Sequence, residues 1–467
     1  MKIAFLVPDG IGLRNYLYSD VLTYLKGNEI TIIHKFPEGI VDEIKQAHPD
    51  VHLNFVSFSN ITETRFCDIF RRSLYQGRMN LNFKVAKNPT LSKNWHELYR
   101  STDIKKRLLY KFINFVGKKL SKNIETFTRA EKFLFSKMNK SDAGKSCETL
   151  LKDINPEVIL CTHQRSVEAG YFMSKANELN IKTICVIFSW DNLPKSRNTF
   201  WADKYFVWSQ LMKHDLQRFY PNIPEDKIDI TGTPQFEFYS KSALNLSKED
   251  FCNQYGLPAS RPLFCYSGNE PSVNNDHLYL NDLLEALEND KTGLNSKPYI
   301  IVRPSPLDNT GRLDLVANKY PHLAKVIMPV WPHFGAMEWE NFFPVSEDLK
   351  LLNNITKHSC GVINLGSTMG LDFSQDNKPA LYINYAHPEQ SGFDINACYN
   401  QEHFKTSMGN LDAVCFINSP SAFVPNIYKA INNPDSIATE RLKWKRNVTD
   451  DIKSASLNIA GKILDFQ

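Results

Sequence analysis

The segment Gly361-Val362-Ile363-Asn364-Leu365-Gly366-Ser367-Thr368-Met369-Gly370-Leu371-Asp372-Phe373 runs from an apolar strand through a small-residue turn into a helix. Free backbone N–H groups at such a helix start, with the positive end of the peptide dipoles, make an anion site. Ser367 and Thr368 can cap the helix and also donate to a phosphate. Asp372, one turn on, can hold ribose hydroxyls; a plain cap with an exposed Asp372 is the other reading of these residues. Arg303 closes the run Tyr299-Ile300-Ile301-Val302-Arg303, where a planar charged fork suits a diphosphate, or a surface ion pair. The turn holding Asn269 and Glu270 sets polar side chains after a further strand. Trp331 offers a ring for stacking a base, or for ordinary packing. Glu347 and Asp348 begin a helix and read as first-turn dipole partners.

A second group of candidates lies early in the chain. Pro8-Asp9-Gly10-Ile11-Gly12-Leu13-Arg14-Asn15 follows a strand and opens a helix. The two glycines allow a tight turn and close approach of a ligand, but without a third this is no dinucleotide fingerprint. Asp9 is either a helix cap or a base. His163, in Cys161-Thr162-His163-Gln164-Arg165, is the rival base or a structural hydrogen-bonding residue. Trp190, Asp191 and Asn192 end the next strand, where they can shape an acceptor pocket. Nucleophile triads, a P-loop and an H-E-x-x-H helix are all missing. Ile228-Asp229-Ile230 lacks the second acid of a metal-binding D-x-D, so neither metal nor other cofactor is expected.

The elements that must carry these residues alternate in type. Strands are expected at 3–7, 30–34, 53–58, 158–161, 183–188, 205–208 and 228–230, with helices between. Gly232-Thr233-Pro234 breaks the pattern and a helical linker is expected over 240–255. A second series follows at 263–267, 299–303, 325–328, 361–364, 380–384 and 414–417, with a helix over 278–288. Strands alternating with helices give right-handed crossovers and a mainly parallel sheet. The expectation is α/β: residues 1–240 as a first Rossmann-like domain, 241–450 as a second, and 451–467 as a helix returning to the first. Two doubly wound domains facing a cleft would carry their ligands at strand carboxyl ends.

With 467 residues and 42% hydrophobic content the chain is long enough for two ordinary globular cores. Apolar runs reach strand length, well short of the roughly 20 residues that span a bilayer. The amino-terminal run breaks at an acidic turn rather than continuing as a signal peptide, so a cytoplasmic protein is expected. The nine scattered cysteines read as reduced thiols. The net charge of +4 is uneven: residues 61–150 hold 20 Lys or Arg against 8 Asp or Glu. Within that basic insert, Leu108, Leu109, Phe112, Phe115, Val116 and Leu120 share one helix face. Such a face either rests on anionic lipid at the inner membrane surface or packs on its own domain. No nucleic-acid module is recognisable, so nucleic acid is not an expected partner.

Gly366-Ser367-Thr368-Met369-Gly370-Leu371-Asp372, followed by Asn377-Lys378-Pro379-Ala380, resembles the donor-binding segment of GT-B enzymes, in the branch of nucleotide-sugar 2-epimerases and teichoic-acid glycerophosphotransferases. Ser189-Trp190-Asp191-Asn192-Leu193 and Gly232-Thr233-Pro234-Gln235-Phe236 are similar to stretches of bacterial surface-polysaccharide transferases. The resemblance implies that Ser367 and Thr368 hold the donor diphosphate and that Asp372, where many relatives carry Glu, holds ribose. In that layout Asp9 is the base at the acceptor hydroxyl and Arg14 lies near the donor phosphates. Ser305 stands where glycerophosphotransferases carry the His of a His-Pro pair, which disfavours polyol-phosphate transfer. The implied activity is transfer of a sugar from a nucleotide-sugar to a surface glycan or lipid-linked glycan, inverting and metal-independent. A nucleotide-sugar epimerase or a CDP-glycerol-type transferase is the alternative.

Overall fold

The computed structural model describes residues 1–93, 103–271, 275–291, 297–333, 341–389, 394–450 and 452–466; residues 94–102 of the basic stretch fall outside these. The chain forms two compact units. One comprises Met1–Pro234, Gln401–Thr406 and Val448–Gln467; the other comprises Gln235–Asn400 and Ser407–Asn447.

The first unit is built on a seven-stranded parallel sheet of order β3-β2-β1-β4-β5-β6-β7. Its strands are β1 (Lys2–Val7), β2 (Glu29–His34), β3 (Leu53–Ser57), β4 (Val158–Cys161), β5 (Lys182–Val186), β6 (Lys204–Val207) and β7 (Ile228–Ile230). Ile3 through Val7 are all buried, as a strand covered on both faces requires. The chain steps outward from β1 to β3, then returns to lay β4 on the other side of β1. That reversal is a topological switch point, where ligands of parallel sheets bind at the carboxyl ends. Helices α1 (Arg65–Ala86), α2 (Ile104–Leu120), α3 (Ile124–Lys140) and α4 (Asp142–Ile154) fill the interval between β3 and β4, and α5 (Val167–Glu178) follows β4.

The second unit repeats the plan with six parallel strands, β10-β9-β8-β11-β12-β13. They are β8 (Leu263–Ser267), β9 (Tyr299–Arg303), β10 (Ala324–Val326), β11 (Ser359–Asn364), β12 (Ala380–Ile383) and β13 (Cys415–Ile417). The switch point lies between β8 and β11. Phe264, Tyr266, Ile300, Val302, Ile363 and Leu381 form its core with Leu280, Leu283, Leu284 and Leu287 of α6 (Asp276–Glu288). On the other face lie α7 (Ser346–His358) and α8 (Met369–Ser374). The last helix, α9 (Ala455–Leu464), belongs to the first unit, where Lys462 Nζ pairs with Asp229 at 2.9 Å.

Three expectations need correction. The stretch 240–255 is not one helix: short turns end at Leu244, Asn245 is extended, and Ser247 restarts a helix by accepting the N–H of Asp250 at 3.0 Å. The tenth strand stops at Val326, leaving Met328 exposed ahead of Pro329. Most importantly, α2 packs through Tyr110, Ile113 and Gly117, not through the face of Leu108, Phe112 and Phe115. Gly117 decides this: a Cβ there would meet Ser73 O and Gln76 Cβ at 2.8 Å, so only glycine lets α2 and α1 approach so closely. Among the described residues no helix is long and apolar enough to cross a membrane.

Because both atoms facing Gly117 lie on or beside helical backbone, Gly117→Val should destabilise the first unit by about 1–3 kcal/mol through overpacking. Urea unfolding followed by circular dichroism measures it. An unchanged midpoint would refute the close-approach argument.

Candidate functional site

At the first switch point β1 and β4 leave the sheet side by side, with Leu6 paired to Cys161. Asp9 follows β1 and His163 follows β4. One Asp9 oxygen accepts the Gly12 N–H at 2.8 Å, capping the turn Gly10–Gly12. The other meets His163 Nδ1 directly. His163 stacks on Phe188, with ring centroids 4.1 Å apart and planes at 18°. Its Nε2 is buried and has no hydrogen-bond partner among the described residues. Burial alone would raise the Asp9 carboxyl, but the charge and hydrogen bond of His163 and the N–H groups of Gly12 and Ile11 hold it below its ordinary value. Asp9 orients the ring through Nδ1, so that in its neutral form Nδ1–H donates to the carboxylate and the lone pair falls on Nε2. A Cβ on Gly12 would collide with Thr162 Oγ1, so the turn bearing Asp9 comes this near to β4 only because position 12 is glycine. The sequence presented Asp9 and His163 as rivals; the fold joins them into one pair.

The other residues expected on this side are less open. Arg14 lies in a π turn, Leu13–Leu17, and donates to Asn15 Oδ1 at 3.0 Å. Trp190 is buried edge-on against the rings of His403 (4.8 Å) and Phe404 (5.5 Å). Asp191 is half-buried; desolvation works against its charge, yet Lys195 beside it holds its carboxyl well below the usual range. Asn192 is buried, donating to Asp191 at 2.9 Å and accepting from Gln164 at 3.4 Å. Asp191 and Asn192 fasten their own turn, and Trp190 ties it to residues 403 and 404. Nothing in the sequence tied residues 401–406 to that turn.

At the second switch point the turn after β8 is pinned from beneath. Asn269 donates its N–H to Asp276 at 2.7 Å, and Arg312 reaches the Asn269 and Glu270 carbonyls at 3.0 and 3.4 Å. Arg312 also pairs with Asp276 (3.0 Å) and Asp308 (2.9 Å). Burial pushes the Asp276 carboxyl up to about 6 against the pull of Arg312. After β11, Gly366 takes φ +71°, the left-handed conformation the turn needs. Ser367 N–H donates to Asn364 Oδ1 at 3.0 Å and Met369 N–H to Ser367 Oγ at 3.3 Å. Two of the N–H groups expected for a phosphate are thus engaged inside the turn, and Thr368 makes no side-chain cap on α8. Asp372 is not exposed: it is buried and accepts from Tyr239 Oη at 2.7 Å.

Arg303 is likewise not on the surface. One amino group sits 2.9 Å from both oxygens of Asp348. Asp348 also accepts the N–H of Val330 at 2.9 Å and Nε1–H of Trp331 at 2.7 Å, so it gathers two predicted ligand residues into one buried network. Reading Asp348 as a helix-dipole partner missed this, because the contact joins a strand end to a helix 45 residues on. The second amino group of Arg303, Nη1, and Nδ2 of Asn364 are buried without hydrogen-bond partners among the described residues. Asp348 lies on α7, which packs on β8, β11 and α8, so Arg303 and the Ser367 turn share one side of the sheet. With β8 between them, their strand ends stand about 10 Å apart. Among the described residues no group of three His, Cys, Asp or Glu could hold a metal ion.

Burial works against the Asp348 charge, but Arg303 and the two N–H donors keep its carboxyl below the ordinary value. Its contribution to stability is therefore complete above the unfolded pKa of about 3.9 and is lost as pH falls through the lower folded value. Asp348→Asn should cost about 3–5 kcal/mol at neutral pH by leaving Arg303 buried and unpaired. It should also flatten the acid side of the stability curve, which urea unfolding across a pH series measures.

No family model matches the sequence, and neither does any curated protein. Solved structures do match over the whole length. The UDP-GlcNAc 2-epimerase of Methanocaldococcus jannaschii is 13% identical with a TM-score of 0.54, over 100% of both chains. The UDP-GlcNAc 2-epimerase of Neisseria meningitidis, bound to UDP-GlcNAc, is 10% identical with a TM-score of 0.52, over 99% of both. A glycosyltransferase of Rickettsia africae is 12% identical with a TM-score of 0.51, over 100% of this chain and 99% of its own. The chain has the GT-B fold that nucleotide-sugar 2-epimerases and glycosyltransferases share.

Proposed function

We propose that this protein is a cytoplasmic glycosyltransferase that moves a sugar from a nucleotide-sugar donor to a hydroxyl of a cell-surface glycan, with inversion and without a metal. The observation that carries the reading is the Asp9–His163 pair at the first switch point, with His163 Nε2 buried and unpartnered. That nitrogen takes the proton of the acceptor hydroxyl while the oxygen bonds to the anomeric carbon. The bond from that carbon to the diphosphate breaks, and the nucleoside diphosphate leaves with the electron pair. Asp9 steadies the resulting imidazolium through Nδ1–H. Arg303 Nη1, Asn364 Nδ2 and the hydroxyls of Ser367 and Thr368 supply donors for the diphosphate. Asn269 and Glu270 border them, Asp372 with Tyr239 takes the ribose, and Trp331 lies on the side of the base. Arg14 adds a cation for the donor phosphates, and the Trp190–Asn192 turn backs the acceptor.

A second reading is favoured by the epimerases among the neighbours. The same base is competent to remove a proton from a sugar carbon, which would make the protein a nucleotide-sugar epimerase. Glycerol-phosphate transfer is a weaker form of it, since Ser305 cannot act as a His would.

Incubation of UDP-sugars with and without a cell-envelope extract separates the readings. Transfer releases the nucleoside diphosphate only when the extract supplies an acceptor; epimerisation changes the free nucleotide sugar without it. His163→Ala and Asp9→Asn should each slow the reaction by about 10²–10⁴-fold. A bound nucleotide at 100 times its Kd should still stabilise both variants by about 2.7 kcal/mol in a panel of UDP, GDP, CDP, CMP and dTDP. Undiminished turnover in His163→Ala would overturn the assignment of the base.

A further inference from the structure

We propose that α2 is a membrane-docking helix that lays its outward face on anionic lipid headgroups. Gly117, Ile113 and Tyr110 are the residues it buries against its own unit. On the opposite side Ile104, Leu108, Phe112 and Phe115 are 70%, 59%, 54% and 60% exposed. At 100° per residue these four fall within about 80° of the circumference, a single apolar stripe. Isolated exposed apolar residues need no explanation, but four successive ones in a row on one helix do.

The charges beside the stripe say what covers it. Arg107, Lys111 and Lys118 flank one edge and Lys105 the other, while Lys119 continues the row itself one turn beyond Phe115. All five are exposed, and from Ile104 to Leu120 the helix contains no acidic residue. The preceding Asp103 is spent as the helix cap, accepting the N–H groups of Lys105 and Lys106. Lys119 Nζ lies over the Phe115 ring, 5.4 Å from its centroid, so a cation caps the end of the apolar row. An apolar stripe flanked by lysine and arginine, with no acid along the helix, fits a surface that is apolar within and anionic at its rim. This inference stands without the transferase assignment, since it uses no residue of either switch point.

Co-sedimentation of the full chain with vesicles tests it. The chain should bind phosphatidylglycerol–phosphatidylcholine vesicles and not phosphatidylcholine alone. Binding should fall by about tenfold between roughly 50 and 300 mM salt, as the headgroup attraction is screened. The variant Leu108→Gln/Phe112→Ser/Phe115→Ser should lose about tenfold in partitioning at an unchanged unfolding midpoint, its three side chains being exposed; Lys111→Glu/Lys118→Glu should lose the preference for anionic lipid. A chain that stays in solution with both vesicles overturns the proposal, as does a triple variant that binds like the parent. A dimer in light scattering that the triple variant dissolves would reassign the face to self-association and overturn it too.

Discussion

Parallel pairing of β1 with β4 is the constraint from which the first unit's chemistry follows. The register that sets Leu6 against Cys161 brings both strands to the sheet edge at one level. Thr162 extends the ladder by a further bond to Leu6 O at 3.1 Å. Asp9 and His163, 154 residues apart in the chain, then have little freedom except to meet. A slip of one residue would turn every side chain of β4 to the other face and part them. The pair is a property of sheet register before it is a property of either residue.

The second unit handles charge differently. Its candidate ligands are not poised in solvent but already engaged: Arg303 and Trp331 with Asp348, Asp372 with Tyr239, and the Asn269 turn with Asp276 and Arg312. A buried ion pair is weak evidence for stability, because desolvation offsets much of the attraction. What such networks do provide is fixed direction. Donors held by second partners need no reorganisation when charge appears beside them. Arg303 illustrates this, with one amino group fixed on Asp348 and the other left over.

Much of the fold was legible because its strands are buried on both faces, and continuous apolar runs such as Ile300–Val302 announce themselves. Strand ends were harder, since Phe188 and Met328 are as apolar as the residues that do pair. Whether the large-residue face of α2 packs was left open by the sequence for a definite reason. Hydrophobic spacing weighs large side chains, whereas the contact with α1 is won by the smallest residue, Gly117, facing Gln76 and Ser73. The candidate residues were visible by type and position at strand ends, but their relations were not. Whether Asp9 and His163 compete or cooperate depends on strand order, and whether Asp372 is open depends on Tyr239, 133 residues away.

The short excursion of residues 401–406 into the first unit has a consequence for how the gene can be cut. Glu402 accepts from Arg218 at 2.8 Å and from the buried Asn88 at 2.9 Å, while His403 and Phe404 close over Trp190. A fragment ending at Pro234 would therefore expose an indole and strand a buried amide, although its sheet is whole. Recombination that exchanges one half of this chain for that of a relative must carry the small patch along with it.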